Sequence, residues 1–562
     1  MPLMQRTARA LQEALAEAAG RHDLRIGPEE VPVAPPRDPS HGHLASTVAM
    51  ALAGRAGTVP RDVAARLKDE LDREPPDSLP APLESVEIAG PGFLNFRFAP
   101  SWLEHAVREV LEEGEDYGRS GRMEGEEVLF EFVSANPTGP LNVVSARAAA
   151  VGDVLASLVT AAGGRAGREF YVNDAGRQVR LLGQSLLARV REERGEEAVI
   201  PEGGYHGEYL AEMASALVEE GLPEGWEDLD EEERAGCLSR IAVDRILEGH
   251  RETLWRFRLS FDEWFRESSL HASGAVDETL ADLRDRGCVY EEEGAVWFRS
   301  TDFGDDKDRV LVTSEGRPTY LLPDIAYHRD KYARGWRKLV DLWGPDHHGY
   351  IGRMQAALKA LGHPEEDFRV LIVQQVNLLR SGEVVKMSKR SGRLIEMAEL
   401  LDEVGTDAAR FLFLTRSTNT PLDFDLDLAV AQNEENPVYY VQYAHARIRS
   451  LLRKAREEGI DPDLEVPGAD LGLLTEEEER ALLRVLAAYP DVVADAARSL
   501  EPHRIPAWLR DLAGTFHPFY HKHPVIQAEP GLRAARLALC EAVRQTLANG
   551  LGLLGVRAPE RM

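Results

Sequence analysis

The sequence predicts an α/β protein whose parallel-sheet core carries a helical insertion and sits between an N-terminal α+β domain and an all-helical C-terminal domain. Three observations predict it. The strand-like run VLFEFVS at 128–134 passes through the turn NPTGP into the helical run VVSARAAAVGDVLASLV, and strand, tight turn, helix is how a nucleotide-binding α/β unit opens. Strand signals return later at VWFRS, RVLVTS, LVDLWG and VLIVQQV. From Asn436 onward they vanish, and long periodic helices such as ERALLRVLAAYPDVVADAARSL take over.

At 562 residues the chain is too long for one core, and about 150 residues per domain suggests three or four. Residues 1–115 open with helical spacing, cross the loop PVAPPRDPSHGHLA, and end in VEIAGPGFLNFRF, which reads as strand, Gly-Pro-Gly turn, strand. Residues 116–375 form the α/β core, with a helical, acidic insertion at about 184–285 whose runs EEERGEEAV and EDLDEEER read as solvated helix faces. Residues 376–435 are a connecting segment, and 436–562 the helical domain.

Composition narrows the class. With 43% hydrophobic and 29% charged residues the chain can build packed cores. Arg6, Gln12, Glu13 and Glu17 interrupt what a signal peptide would need as an apolar stretch, and no run approaches the ~18 to 20 apolar residues of a membrane span. The expectation is a cytoplasmic protein with no membrane association. Cys237, Cys288 and Cys540 form no C-x-x-C pair, which argues against a disulfide framework and against zinc. A net charge of −30 counts against gripping nucleic acid over the whole surface, although a large protein can gather positive potential on one face.

Two segments carry chemistry. VVKMSKRSGR sets Lys386 and Lys389 around Met387 and Ser388, just after a buried strand and a turn at Ser381-Gly382. Two amines and a hydroxyl there can clamp a polyphosphate and follow its charge as pyrophosphate leaves. LWGPDHHGYIGR places Gly344 and Asp346 at a strand's C-terminal end, a bare backbone and a carboxylate. His347 and His348, adjacent on a strand, would point to opposite faces, so no metal site is expected.

K-M-S-K after a strand resembles the signature loop of class I aminoacyl-tRNA synthetases. Gly344-Pro345-Asp346 resembles the G-x-D element that receives the ribose hydroxyls of ATP in that class. The partner HIGH motif should stand in the first strand-turn-helix, where Ala135, Asn136, Pro137, Thr138, Gly139, Pro140, Leu141, Asn142, Val143, Val144 and Ser145 lie. The lead-in EFVSANPTGPL and the following Ala146, Arg147, Gly152 and Asp153 match the bacterial arginyl-tRNA synthetase pattern. The histidines do not: Asn142 and Ser145 occupy their positions, and Val144 that of the glycine. Asn142 and Ser145 can still donate to phosphate at a helix N-terminus.

The resemblance to bacterial arginyl-tRNA synthetases covers nearly the whole chain, including YVNDAGRQ, FDEWF, LLPDIAYHRDK and LANGLGLLGVRAPERM. It implies a Rossmann-type core, ATP with Mg2+, and ligation of L-arginine to tRNA(Arg). It places Asn142, Ser145, Lys386, Ser388 and Lys389 in catalysis, and Asn142, Val144, Ser145, Gly344, Asp346, Lys386, Met387 and Lys389 around ATP. Glu131 and Asn136 fall with the residues that hold arginine's α-amino and carboxylate end, Tyr320 and Asp324 with those on its guanidinium, and Ser134 is counted with them around arginine. A planar cation needs such carboxylates and phenol oxygens. The N-terminal domain is implied to meet the tRNA elbow and the C-terminal domain the anticodon, with Tyr440, Tyr443 and Met562 as contacts. The family further implies a monomer that activates arginine with tRNA bound. The altered HIGH motif prompts one alternative, a non-catalytic tRNA-binding paralogue. A second is a ligase joining an amino acid to a small amine, which would lack the anticodon domain.

Overall fold

The computed structural model describes residues 3–36, 38, 41–385 and 395–562. The N-terminal domain packs helices Leu3–Gly20, Val48–Ala56, Pro60–Arg73 and Ser101–Glu113 on an antiparallel sheet ordered Val33–Ala34, Leu44–Ser46, Phe93–Phe98, Leu83–Ala89. Its last helix leads to Tyr117, whose hydroxyl donates to Leu486 O at 2.8 Å in the C-terminal domain.

The core sheet is parallel throughout. Its strands, in chain order, are β1 (Glu127–Glu131), β2 (Arg165–Val172), β3 (Glu263–Arg266), β4 (Lys338–Trp343) and β5 (Phe368–Ile372), and their spatial order is β5-β4-β1-β2-β3. Helix α1 (Val143–Ala161) joins β1 to β2, and α2 (Leu321–Ala333) precedes β4. The chain therefore reverses its direction of winding between β1 and β4, and a crevice opens at the carboxyl ends of those two strands, where open α/β sheets take ligands.

Among the described residues α1 is the one helix long and apolar enough to cross a membrane, yet 72% of its apolar window is buried inside the protein. It is a core helix. Gly152 on it is required by a close approach: a Cβ there would sit 2.2 Å from the ring of Phe132, which follows β1. Two buried charges interrupt its apolar surface, Arg147 and Asp153.

The segment 184–285 is not purely helical. It holds helices Glu208–Glu220 and Glu231–Arg256, but also β3, which completes the core sheet; the aromatic side chains of FDEWF had the strand signal, masked by flanking acidic residues. VWFRS and RVLVTS are strands but not of the core; VWFRS pairs with Val289–Glu292 on one side and RVLVTS on the other in a separate antiparallel sheet. Beyond β5, Val376–Arg380 pairs parallel with Leu422–Asp425 and antiparallel with Glu383–Val384. The two-residue turn between the antiparallel pair has Ser381 at φ 52° and Gly382 at φ 75°, the left-handed pair that a tight hairpin needs. Helices Pro437–Glu457, Glu477–Ser499, Arg504–Lys522 and Pro530–Leu553 form the C-terminal domain.

Candidate active site

The end of β1 is strained where the site begins. Val133 has φ 69° and Ser134 φ 37°, and Ser134 N donates to Phe132 O at 2.9 Å, closing a three-residue turn around a β-branched residue with positive φ. The strain re-aims Ser134: its hydroxyl donates to Glu131 Oε1 at 3.0 Å and accepts from Tyr171 N at 3.1 Å, tying β1 to β2.

Glu131 does not face open solvent. Lys331 Nζ, wholly buried, donates to Glu131 Oε2 at 2.6 Å and to Asp341 Oδ1 at 3.0 Å. His328 lies between Asp324 O (2.8 Å from Nδ1) and Asp341 Oδ2 (2.8 Å from Nε2). A carbonyl oxygen only accepts, so Nδ1 carries a hydrogen, and a second proton lies between Nε2 and Asp341. Two carboxylates thus face an ammonium and a shared proton. Glu131, His328 and Asp341 have the proximity of a metal triad, but the cation at their centre is Lys331. Burial pushes Glu131 above the ordinary carboxyl value. For Asp341 burial acts the same way but is outweighed by Lys331 and His328, which hold it below.

Asp324, one helical turn before His328 on α2, is raised to about 6, chiefly by burial, with the Tyr350 hydrogen bond and His328 opposing and Glu131 and Glu267 adding. Tyr350 donates to Asp324 Oδ2 at 2.7 Å. Tyr171 sits among Glu267, Asp324 and Glu131, and burial foremost, then those carboxylates, drives its phenol far above its usual value. The structure therefore gathers Glu131, Ser134 and Asp324, and adds Tyr171, Glu267, Tyr350 and Lys331, which sequence reasoning missed. Tyr320, at the N-terminal boundary of α2, is 78% exposed, and Asn136 Nδ2 donates to Gln178 Oε1 at 3.0 Å on the neighbouring helix Gly176–Glu193. One signal was available: Asp324, His328 and Lys331 repeat at i, i+4, i+7, a polar stripe on a helix face that is otherwise buried.

The turn into α1 is held from outside. Thr138 O accepts from Tyr209 Oη, and Gly139 O from His250 Nε2 at 2.8 Å, both supplied by insertion helices. Asn142 is the N-cap of α1: its Oδ1 accepts from Val144 N at 3.0 Å and Ser145 N at 3.3 Å. The cap thus takes Oδ1, and Nδ2 is the donor of this side chain that could reach a phosphate. Val144 is 44% exposed at that terminus. Across the crevice, Gly344 follows β4, and exposed Asp346 sits in the short 3-10 helix Pro345–Tyr350. His347 and His348 lie in that helix too, not on a strand, so the opposite-faces reasoning does not apply to them. Lys386, Met387, Ser388 and Lys389 lie outside the described residues.

On the C-terminal domain, Tyr440 is half-buried 4.7 Å from the His517 ring, and Tyr443, 37% exposed, lies parallel to Tyr439 at 6.1 Å. Arg447 covers Tyr443 and Tyr520. Met562 is 53% exposed at the end of a tail that His445 and Arg449 hold through Pro559 O and Glu560.

A parallel sheet with a helix N-terminus after one strand of its switch point and a Gly-Pro-Asp turn after the other has the architecture of a class I aminoacyl-tRNA synthetase core. The family described as tRNA synthetases class I (R), catalytic domain, matches residues 106–430. The flanking matches are to the arginyl tRNA synthetase N terminal domain at 5–98 and the DALR anticodon binding domain at 441–562. The chain is 45% identical over 556 residues to the arginine–tRNA ligase of Desulforamulus reducens, covering 99% of this chain and 98% of that one. To the Geobacillus kaustophilus arginine–tRNA ligase it is 47% identical over 558 residues, 98% of each chain. The arginyl-tRNA synthetase structure of Thermus thermophilus superposes with a TM-score of 0.75 at 25% identity, over 99% of this chain and 100% of that one. The chain belongs to the arginyl-tRNA synthetase family, and it is an arginine–tRNA ligase that uses ATP. The two rival readings of the sequence are set aside.

Proposed function

We propose that arginine's guanidinium meets Tyr320 and Asp324, with Glu131 and Asn136 toward its α-amino and carboxylate end and Ser134 beside them. ATP would lie across the switch point, its phosphates at the N-terminus of α1 and its ribose at Gly344 and Asp346. The observation that carries this is the convergence of Asp324 and Glu131, both near one tyrosine, at the carboxyl ends of β1 and β2. A guanidinium can pair the Asp324 carboxylate, which a neutral side chain would leave without a cation.

Arginine's carboxylate oxygen attacks the α-phosphorus of Mg-ATP, the bond to pyrophosphate breaks, and arginyl-adenylate forms. A terminal ribose hydroxyl of tRNA then attacks the arginyl carbonyl and AMP leaves. Neither step needs a strong protein base, so positioning and charge stabilisation dominate. The roles fall to Asn142 Nδ2 and Ser145 at the helix N-terminus, where the dipole favours phosphate, and to Lys386, Ser388 and Lys389, with Met387 against the nucleotide. Val144 limits how closely adenine approaches α1. Magnesium arrives with ATP, and no zinc takes part.

We assign residues 1–115 to the tRNA elbow, 116–375 to catalysis with the insertion at about 184–285, 376–435 to the lysine segment and its connection, and 436–562 to the anticodon, with Tyr440, Tyr443 and Met562 as contacts. The enzyme acts as a cytoplasmic monomer, free of membrane. Lys389→Ala lowers kcat for tRNA-dependent pyrophosphate exchange by about 10²-fold or more, the scale of losing one preorganised charge on a developing oxyanion. An unchanged kcat would remove that segment from the mechanism.

A further inference from the structure

Arg147 stands two residues beyond Ser145 on α1 and is wholly buried. Its Nη1 donates to Gln374 O at 2.8 Å, and its Nη2 to Ser417 O and Thr420 O, each at 2.9 Å. Nε has no partner, and no carboxylate pairs with this guanidinium among the described residues. The other buried arginines are neutralised: Arg410, equally buried, pairs with Asp153, and Arg536 with Glu479. Burial alone pulls Arg147 down to about 10. A buried cation without an anion is costly, and lining the same space with an apolar side chain would avoid the cost.

What the charge touches explains why it is there. Gln374 lies between β5 and the strand Val376–Arg380, where the chain leaves the core for the small sheet, and Gln374 N donates to Thr418 O at 2.9 Å. Ser417 and Thr420 lie just before Leu422–Asp425, the parallel partner of that strand. One planar fork therefore holds both segments entering the small sheet, from which the chain runs on toward Lys386. The returning chain is sewn to the same helix from its other side: Val143 N donates to Ile395 O at 3.3 Å, Met397 N to Leu141 O at 2.8 Å, and Asn142 bridges Glu396.

We propose that Arg147 is a positioning residue for adenylate formation, fixing the distance and angle between the N-terminus of α1 and the small sheet Val376–Arg380 with Leu422–Asp425. It touches no substrate. It acts on the ATP half of the site, because the arginine half stands on β1, β2 and α2 and makes none of these contacts. The inference rests on the placing of ATP at α1.

A lysine at 147 keeps a charge but cannot span three carbonyls with a fixed fork. Arg147→Lys in the full chain, with tRNA present, lowers kcat for pyrophosphate exchange by about 10²-fold, the scale of a 1 Å misplacement. Arginine binding by titration calorimetry keeps its full stoichiometry and a Kd within about twofold of wild type. A loss of kcat matched by an equal loss of arginine-binding sites would show a merely structural residue and overturn the proposal, as would wild-type kcat. Asn142→Ala, assayed alongside, separates the two readings. If it slows exchange while Arg147→Lys does not, positioning fails alone; if neither slows it, the placing of ATP at α1 fails and the proposal with it.

Discussion

The proposed arginine pocket and the tyrosine face of the C-terminal domain are built by opposite means. Around Glu131 and Asp324 the protein has withdrawn charged groups from water and balanced them against one another through Lys331 and His328 before any substrate arrives. On the helix Pro437–Glu457, Tyr439 and Tyr443 lie nearly parallel at the surface, with Arg447 over Tyr443. A small cation offers few atoms, so discrimination must come from groups that cannot relax; RNA offers many stacking faces, so each contact can be weak. Energy should accordingly be concentrated in the first region and dispersed in the second.

The sharpest way to break this contrast is at the balance itself. Lys331→Met leaves Glu131 and Asp341 facing one another without their buried cation, a loss of about 3 to 5 kcal/mol, read as a large fall in Tm and in the denaturant midpoint. A variant as stable as wild type would mean the cluster is not charge-balanced as described. Next comes Asp324→Asn, which removes one partner of a desolvated pair and costs about 2 to 5 kcal/mol in kcat/KM for arginine, with KM for ATP nearly unchanged. Movement of the ATP constant instead would show that the two halves of the crevice were assigned the wrong way round.

The same aspartate sets a pH test. Its folded value is raised to about 6, so the free protein holds that proton more tightly than the unfolded chain does. Its contribution to stability is therefore present below the unfolded carboxyl range and is lost as pH rises through about 6, where the carboxyl ionises and, in the proposed site, becomes able to pair a guanidinium. Arginine should raise Tm more at pH 7.5 than at pH 5.5, and kcat/KM for arginine should fall as pH drops below about 6. Asp324→Asn should abolish that limb. Burial, with Arg447 and His521 adding, holds His517 beside Tyr440 down at about 4, so the tyrosine face has no matching response in this window.

Domain order and the ends of the core strands were legible because each rests on local sequence: NPTGP between an apolar run and a helical run, and a late region without strand signals. Glu131 and Asp324 were singled out by resemblance alone. Their partners were not, because Lys331 lies 200 residues from Glu131 and Tyr350 lies 26 from Asp324, and nothing local announces such a contact. The strand β3 was hidden for a related reason. A four-residue edge strand in an acidic stretch has too little periodicity to outweigh its helical neighbours. Asn142 was read for what its side chain could give a ligand, whereas the first claim on it is the helix: the cap uses its oxygen before any phosphate arrives.

The smallest effect should lie on the tyrosine face. Tyr443 is 37% exposed, and its ring lies beside Tyr439, His517 and Arg447. Removing it strands no polar group, so the loss is confined to whatever base stacks there, about 1 to 3 kcal/mol. Tyr443→Ala should raise KM for tRNA(Arg) by that amount, while Tm and the Kd for arginine stay at wild-type values. Tyr443→Phe should restore most of it, since stacking needs the ring and not the hydroxyl. If the alanine variant instead lowered Tm as Lys331→Met does, the tyrosine would be a packing residue and the two regions would differ less than their burial suggests. If it left KM for tRNA unchanged, the anticodon would lie elsewhere on the helical domain, and recognition of RNA by dispersed, exposed contacts would have to be sought from a different set of side chains.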